Sequence, residues 1–380
     1  MAKDTACRQE DPRQHFMRRA LDLARHGEGY VEPNPMVGCV IVRGGEIVGE
    51  GWHSRYGGPH AEIEALRVAG DKAAGATLYV TLEPCNHAGK TPPCTRALIE
   101  ARLSRVVVGC QDPSPQVAGR GLAALRAAGL PLEVGPLAEQ ARQLIAPFAK
   151  LVTKRRPWII AKWAMTLDGK LATHTGSSQW VSNSQSRAVA HRLRGRVDAV
   201  LVGRGTLEQD DPLLTARPSG ARTAIRIVLD SHASLAPQSQ LARSVSRAPV
   251  LVAVCEDAPA ERCQKLTQLG IEVVKIPANR DSRSGQGGIC LGKLLDLLGR
   301  RNMTNVLVEG GGQVLGALMS LGEIDEVHAF IAPKLVGGAT APTPIGGPGL
   351  ARMMDARQLA AVEVEVLEGD IYVRGIKDLP

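Results

Sequence analysis

His60-Ala61-Glu62 and Pro84-Cys85, followed by Cys94, bring one imidazole, two thiols and one carboxylate into the same region of the chain. Imidazole and thiolate are zinc ligands, and a hydrolytic zinc site has three protein ligands and leaves its fourth position to water. His60, Cys85 and Cys94 supply those three ligands. Glu62 then remains to take a proton from the zinc-activated water and to pass it to a leaving nitrogen. The stretch therefore predicts a zinc-dependent deaminase site.

The sequence around these residues predicts the elements that carry them. Gly57-Gly58-Pro59 interrupts the chain, and Ile63, Leu66 and Val68 then recur at near-helical spacing, so we expect a helix to open at His60. Residues 76 to 82 (ATLYVTL) predict a buried strand that runs toward Cys85, and a proline pair introduces a second helix at Cys94. Helix N-termini favour thiolate, the form of cysteine that binds zinc.

The spacing of the two cysteines is unusual. Two residues separate the cysteines of the general zinc-deaminase signature, whereas eight separate Cys85 from Cys94, namely Asn86 to Pro93 (NHAGKTPP). Each residue alone also has a simpler interpretation, in which His60 caps a helix and the cysteines are buried thiols. The combination with Glu62 favours the metal site, and the long spacing indicates a particular branch of deaminases.

Length and composition set the class of protein. The 380 residues, of which 44% are hydrophobic, suffice for two packed domains. A net charge of +8 is compatible with a phosphorylated substrate or NADPH, and only 3% aromatic residues argue against nucleic-acid binding by base stacking. The eight cysteines form no dense disulfide framework, and no apolar run approaches the roughly 18 residues of a membrane span. We expect a cytoplasmic homo-oligomer that binds neither nucleic acid nor membrane.

Alternating strands and helices predict an α/β fold in two domains. The first begins with a helix capped by Asp11, continues into a hairpin around Arg43-Gly44-Gly45, and ends in one long helix from about 136 to 153. The basic cluster Lys154-Arg155-Arg156, closed by Pro157, marks a boundary between residues 1–153 and 154–380. The second domain again alternates strands and helices.

Longer runs carry a resemblance to a known family. In the first half these are PNPMVGCVIV at 33 to 42, TLEPCNHAGKTPPC at 81 to 94 and QDPSPQVAGRG at 111 to 121. In the second half they are KWAMTLDGK at 162 to 170, SSQWVS at 177 to 182, GRGTLEQDDPLLTAR at 203 to 217, VEGGG at 308 to 312 and IAPKLVGG at 331 to 338. Together they resemble the bifunctional riboflavin-biosynthesis deaminase/reductase over nearly the whole chain.

That resemblance implies a cytidine-deaminase-like three-layer domain followed by a dihydrofolate-reductase-like domain. It also implies that Asn34 and His53 lie near the pyrimidine, and that His87 and Lys90 face the ribose phosphate. A lysine and an imidazole on a glycine-containing loop suit a phosphate. Taken alone, Lys90 is also compatible with a solvated loop charge and Asn34 with a simple turn.

The segment Glu309-Gly310-Gly311-Gly312 follows an apolar strand and opens an apolar helix, a place where bare backbone N–H groups can cradle a phosphate. It departs from the G-x-G-x-x-G dinucleotide fingerprint because Leu315 stands at the third glycine position. The pattern alone therefore leaves a tight turn and a phosphate site equally open. The resemblance favours the phosphate site, because the reductase family binds NADPH through this segment.

Carried over residue by residue, the resemblance implies two sets of residues in the reductase half. The NADPH set is Ala164, Trp180, Thr206, Asp210, Gly311, Gly312, Gln313, Val314, Leu315, Gly316 and Ala317. The substrate set is Ser178, Arg194, Leu214, Arg217 and Glu309. The arginines are suited to a phosphate and the glutamate to sugar or ring groups. Structural roles remain open for each, such as a core position for Trp180.

The implied chemistry is deamination of a phosphorylated diaminopyrimidinone ribosylamine, then hydride transfer from NADPH to its ribose. A cytidine, deoxycytidylate or tRNA adenosine deaminase fused to an unrelated domain is a second hypothesis, disfavoured by the cysteine spacing. A non-catalytic binding protein is a third, disfavoured by Glu62, which a purely structural zinc site does not need.

Overall fold

The computed structural model describes residues 11–87, 92–115, 117–279 and 288–378. The chain divides into two compact units, Met1–Lys154 and Arg155–Pro380, here called the first and second units.

The first unit is a five-stranded sheet with helices on both faces. Its elements are α1 (Pro12–Arg25), β1 (Gly38–Arg43), β2 (Glu46–Trp52), α2 (Ala61–Ala69), β3 (Thr77–Leu82), α3 (Cys94–Glu100), β4 (Arg105–Cys110), α4 (Arg120–Ala127), β5 (Leu132–Val134), α5 (Ala138–Leu144) and α6 (Ala146–Lys154). The strand order is β2-β1-β3-β4-β5. Strand β1 runs antiparallel to both of its neighbours, while β3, β4 and β5 are parallel.

The sheet separates two apolar layers. Cys39 and Ile41 of β1 contribute to the layer under α2, α3 and α4, whereas the alternate residues Val40 and Val42 contribute to the layer under α1 and α5. Helices therefore cover both faces of the sheet, in agreement with the predicted α/β fold. The capping of α1 by Asp11 is also confirmed, since the Asp11 side chain accepts a hydrogen bond from the Arg13 backbone.

Two details of the first unit differ from the sequence prediction. The expected single helix from 136 to 153 is wrong: it breaks at Ile145 into α5 and α6. Pro147 in the first turn of α6 has no N–H to continue the preceding helix. In α2 the buried residues include Ala61, Ala65 and Ala69, whereas Val68 is 55% exposed. Small residues are needed there because α2 packs closely on the glycines of β2.

The second unit is a nine-stranded sheet. Its elements are β6 (Trp158–Thr166), α7 (Ser184–Arg194), β7 (Ala199–Gly203), α8 (Arg204–Asp210), β8 (Ile225–Leu229), α9 (Gln240–Arg243), β9 (Val250–Cys255), α10 (Ala260–Gln268), β10 (Glu272–Ile276), α11 (Leu291–Arg300), β11 (Asn305–Val308), α12 (Gly312–Leu321), β12 (Glu326–Ala332), β13 (Ala360–Leu367) and β14 (Asp370–Ile376). The order is β10-β9-β8-β7-β11-β6-β12-β14-β13.

Parallel pairing runs from β10 to β12, and the hairpin of β13 and β14 closes the other edge in antiparallel fashion. Strand β11 lies between β6 and β7, although both precede it by more than a hundred residues. The carboxyl ends of these three strands meet at one edge of the sheet, the usual place for a ligand site in a parallel sheet. Within the described ranges, no helix has both the length and the apolar character that a membrane crossing requires.

Candidate functional site

The predicted metal ligands converge at the ends of three elements of the first unit. His60 precedes α2, Cys85 follows β3, and Cys94 begins α3. The His60 Nδ1 atom lies 3.2 Å from Cys94 Sγ and 3.5 Å from Cys85 Sγ. Zinc bonds of about 2.0–2.3 Å allow ligand atoms at such separations to share one ion. Among the described residues, this is the one group of three or more His, Cys, Asp or Glu side chains placed to hold a metal.

The electrostatics of this cluster favour a bound cation. Hydrogen bonds from Cys94 and His60 lower the pKa of the Cys85 thiol, and the Cys94 backbone N–H also points at Cys85 Sγ, 3.4 Å away. Thiolate is the form that ligates zinc. Glu62 is only 3% exposed and lies against the same ligands. Burial raises the pKa of Glu62, and the neighbouring His60 opposes that rise. A buried carboxyl group with a raised pKa is suited to proton transfer.

Asn34 and His53 extend the site on one side. The His53 Nδ1 atom lies 2.9 Å from the Pro59 carbonyl oxygen, which can only accept, so Nδ1 carries the proton. His53 Nε2 then accepts from the Asn34 amide at 3.1 Å. Burial lowers the pKa of His53, which agrees with this neutral tautomer. The His53 and His60 rings meet edge to face with centroids 5.6 Å apart.

The two remaining predicted residues lie between the cysteines. His87 is exposed and lies two positions beyond Cys85. It is close enough to Asp112, in the loop before α4, to oppose the rise that burial causes in the pKa of that carboxyl group. Lys90 lies outside the described residues.

Glu83 is a buried residue of this site that sequence reasoning missed. One carboxylate oxygen accepts the backbone N–H groups of Gly121 and Leu122 at 2.9 and 3.1 Å, and the other accepts those of Asp112 and Gly119 at 3.2 and 3.0 Å. Helix α4 has no side-chain cap of its own, so Glu83 supplies it from the end of β3. The available signal was a carboxylate between a buried strand and a metal ligand.

The second unit contains a cavity of about 770 Å³ at the carboxyl ends of β6, β7 and β11. Predicted cofactor residues on its wall are Ala164, Trp180, Thr206, Asp210, Gly311, Gly312 and Leu315. Predicted substrate residues on its wall are Ser178, Arg194, Leu214, Arg217 and Glu309. The other four predicted positions lie elsewhere on α12. Gln313 and Ala317 are exposed, Val314 packs against the core, and Gly316 packs against the backbone of Gly346.

A buried ion pair forms the floor of this cavity. Arg194 donates through Nε and Nη2 to the two carboxylate oxygens of Glu309 at 2.5 and 2.8 Å, and Lys162 Nζ lies 3.7 Å from Glu309. Burial alone would raise the pKa of Glu309, but the two cations outweigh it and hold that pKa at about 2. Burial also lowers the pKa of Lys162. Lys162 was not predicted from the sequence, although its charge inside the otherwise apolar strand β6 was a signal.

The glycine segment ends β11 and begins α12. The Gly310 carbonyl accepts from the Gly203 N–H at 3.1 Å, and no side chain caps α12. A Cβ added to Gly312 would lie 2.7 Å from the Thr343 carbonyl oxygen, and Cβ atoms at Gly310 and Gly311 would approach Thr206 Oγ1 at 3.2 and 3.3 Å. A Cβ would therefore clash at Gly312 and be crowded at Gly310 and Gly311, so glycine lets the backbone N–H groups lie beside the cavity. They fit a dinucleotide phosphate.

Polar and aromatic side chains also line the cavity. Ser178 Oγ donates to Asp210 at 2.9 Å. Trp180 is 63% exposed, which excludes the core position, and the Arg187 guanidinium lies 4.6 Å above its ring. Lys334 Nζ donates to the Trp180 carbonyl oxygen at 2.7 Å. The Arg187 guanidinium therefore holds the indole at the surface of the cavity, and Lys334 holds the Trp180 backbone.

The comparisons with known proteins cover both units. A family model described as the RibD C-terminal domain matches residues 157–373, and one described as the cytidine and deoxycytidylate deaminase zinc-binding region matches residues 10–110. The riboflavin biosynthesis protein RibD of Aquifex aeolicus is 41% identical over 361 residues, which cover 94% of this chain and 97% of the relative.

Solved structures agree with these matches. The structure of Acinetobacter baumannii RibD, form 1, has a TM-score of 0.83 at 34% identity and covers 97% of this chain and 99% of its own. The Thermotoga maritima diaminohydroxyphosphoribosylaminopyrimidine deaminase/5-amino-6-(5-phosphoribosylamino)uracil reductase has a TM-score of 0.81 at 35% identity, with the same coverage. The fold is α/β, with a cytidine-deaminase domain followed by a reductase domain. The metal cluster, the glycine-lined cavity and these matches show that the chain belongs to the RibD family.

Proposed function

We propose that this chain catalyses the two reactions for which its Thermotoga maritima relative is named. The first is hydrolytic deamination of diaminohydroxyphosphoribosylaminopyrimidine. The second is NADPH-dependent reduction of 5-amino-6-(5-phosphoribosylamino)uracil, in which the ribosyl group becomes ribityl. The enzyme is a bifunctional deaminase and reductase of riboflavin biosynthesis and uses Zn²⁺ and NADPH.

The observation that carries the deaminase half is a three-ligand metal cluster with a buried carboxylate beside it. His60, Cys85 and Cys94 would hold the zinc ion, since their ligand atoms lie close enough together to share one. When bound, zinc supplies Lewis acidity that lowers the pKa of water to about 7. Glu62 accepts a proton from the attacking water and donates it to the departing nitrogen, so a ring carbonyl forms and ammonia leaves. Asn34 and His53 orient the pyrimidine, because their mutual hydrogen bond and the bond from His53 to the Pro59 carbonyl oxygen fix both side chains in place.

In the reductase half, the cavity aligns cofactor and substrate. When bound, NADPH would supply a hydride to the anomeric carbon. The bond from that carbon to the ring oxygen breaks, and the ring oxygen takes a proton from solvent, which opens the sugar. The backbone N–H groups of Gly311 and Gly312 would hold a cofactor phosphate. Glu309 stays ionised through its pairing with Arg194 and Lys162, and its oxygens are placed to accept hydrogen bonds from sugar or ring groups. The walls exclude water and fix the distance between the two reactants.

We assign residues 1–153 to the deaminase domain and 154–380 to the reductase domain. The division of the chain into compact units after Lys154 supports these limits. We also propose a cytoplasmic location, which is supported by free cysteines throughout the described residues. A homo-oligomer is supported by an apolar row on the edge strand β13, where Val362, Val364 and Val366 are 52%, 65% and 70% exposed.

The decisive experiment is the product mass after incubating zinc-loaded protein with diaminohydroxyphosphoribosylaminopyrimidine, once without and once with NADPH. We expect deaminated product alone in the first tube and deaminated, reduced product in the second. Turnover of free cytidine or of tRNA in place of this substrate would overturn the proposal in favour of another deaminase. Zinc-loaded protein that binds the pyrimidine and NADPH without any product would instead identify a binding protein.

A further inference from the structure

One wall of the reductase cavity is unusually rich in cationic side chains. Arg187, His191 and Arg194 lie four and three residues apart on α7, so they share one face of that helix, and all three line the cavity. Arg217 reaches the same cavity from the loop after α8. An anion of the substrate therefore has several candidate partners here.

Hydrogen bonds already commit two of these cations. Arg194 donates hydrogen bonds through Nε and Nη2 to Glu309. Arg187 donates through Nη1 to the Ser182 carbonyl oxygen at 2.6 Å and also stacks on the Trp180 ring. His191 and Arg217 are therefore the side chains best placed to face an incoming anion, and they lie close enough for their charges to interact.

The hydrogen bond of His191 defines which of its nitrogens can gain a proton. Its Nδ1 atom lies 3.3 Å from the Thr215 carbonyl oxygen, in the same loop as Arg217. A carbonyl oxygen only accepts, so Nδ1 carries the proton in the neutral ring. Nε2 is then the atom that can take up a second proton.

The surroundings keep His191 neutral while the cavity holds no anion. Burial, followed by the charges of Arg194 and Arg217, lowers the pKa of His191, and Glu309 and the Thr215 carbonyl only partly oppose them. Lys162 on β6 and Arg187 on α7 add positive charge to the same wall, and Asp210 on α8 adds one negative charge. A bound phosphate dianion would offset this excess of positive charge and raise the pKa of His191.

We propose that His191 joins Arg217, whose contact with the substrate the family resemblance already implies, in binding the substrate phosphate in the reductase cavity, and that His191 takes up a proton from solvent when the phosphate binds. This inference rests on the proposed reductase function, since it concerns the phosphoribosyl group of that substrate. His191 thereby distinguishes phosphorylated from phosphate-free substrate.

Proton linkage gives the expected sign. Because the protonated form of His191 predominates only in the complex, binding consumes protons, and affinity falls as the pH rises above 7 by at most about tenfold per pH unit. The phosphate itself loses its second proton near pH 6. It is therefore already a dianion over the range in which the effect is measured.

The test is calorimetry with the reduced product, 5-amino-6-(5-phosphoribitylamino)uracil, and its phosphate-free form at pH 7.5, in two buffers of different ionisation enthalpy. We expect proton uptake of up to one equivalent with the phosphorylated product and none with the other.

His191→Asn should abolish the uptake and weaken the binding of the phosphorylated product alone, by about ten- to a hundredfold. His232→Asn, at an exposed histidine of the same unit, should behave as wild type. His191→Gln provides a second variant, and NADPH binding reports whether each variant is folded.

Uptake that persists in folded His191→Asn and His191→Gln would overturn the inference, as would an equal loss of affinity for both products. These outcomes are distinct from failure of the proposed function. If the proposed function itself were wrong, the wild-type enzyme would not reduce the phosphorylated intermediate with NADPH at all.

Discussion

Single residues carry the chemistry of the first unit, and Glu62 can be tested alone. Glu62→Gln keeps the shape of the side chain but removes the group that moves protons. We expect deamination to fall by about 10²–10⁴-fold, the usual contribution of general acid–base catalysis. Zinc content and reduction of the deaminated intermediate should not change, because Glu62 is neither a ligand nor part of the second unit. Full deamination by the variant would refute the assigned role.

Glu83 makes a different contribution, because it holds backbone rather than substrate. Glu83→Gln places an NH₂ group against N–H donors that the carboxylate now satisfies. We expect a loss of about 1.5–3 kcal/mol in unfolding free energy. The absorption bands of the cobalt-substituted site should also shift, because Cys85 lies two residues away. Glu100→Gln, at an exposed glutamate of α3, is the control that should leave both unchanged. An unaltered cobalt spectrum in Glu83→Gln would show that Glu83 does not influence the position of the metal ligands.

The contrast between Glu62 and Glu83 shows what the sequence could predict at this scale. The residue types and local spacing of His60, Glu62, Cys85 and Cys94 predicted the cluster, since ligands and elements lie next to each other in the chain. Glu83 was missed because its four partners come from residues 112 to 122, which only the parallel pairing of β3 and β4 brings beside it. Lys162 and His191 were missed for a similar reason.

At the scale of elements, strand β13 is the most exposed part of the described sheet. Val364→Lys adds a charge to its apolar row, and we expect the assembly to dissociate if a second copy of the chain covers that row. Light scattering after gel filtration measures the change. Glu365→Lys, on the other face of the same strand, is the matched control and should not alter the mass. An unchanged mass for Val364→Lys would move the interface elsewhere.

Element types followed from the sequence more readily than element contacts. Apolar runs and breakers predicted the helix after His60 and the strand before Cys85. They did not reveal that glycines of β2 require alanines on the buried face of α2: a Cβ at Gly49 would lie 2.4 Å from the Ala65 carbonyl oxygen. Such close approaches depend on the distance between two packed elements, and a local sequence pattern does not predict that distance.

At the scale of the whole molecule, each unit has its own core and its own candidate site. We therefore expect two inactive chains to complement each other. An equimolar mixture of Glu62→Gln and Glu309→Gln should convert the deaminase substrate to the reduced product after a lag, because the intermediate must diffuse between molecules. Mass spectrometry over time measures the lag. No reduced product, with the reductase half of Glu62→Gln shown to be active on added intermediate, would indicate that the intermediate is not released.

The order of strands in the second unit also has a consequence for synthesis on the ribosome. Strand β11 fills the position between β6 and β7, which are translated long before it, and the glycine turn that follows it lines part of the cavity. A nascent chain can finish the first unit early, because every strand of its sheet precedes residue 135. In the reductase half, the edges of β6 and β7 that face β11 stay unpaired until residue 308 has emerged. Premature termination in that interval would yield a chain able to bind zinc but burdened with an incomplete, aggregation-prone sheet.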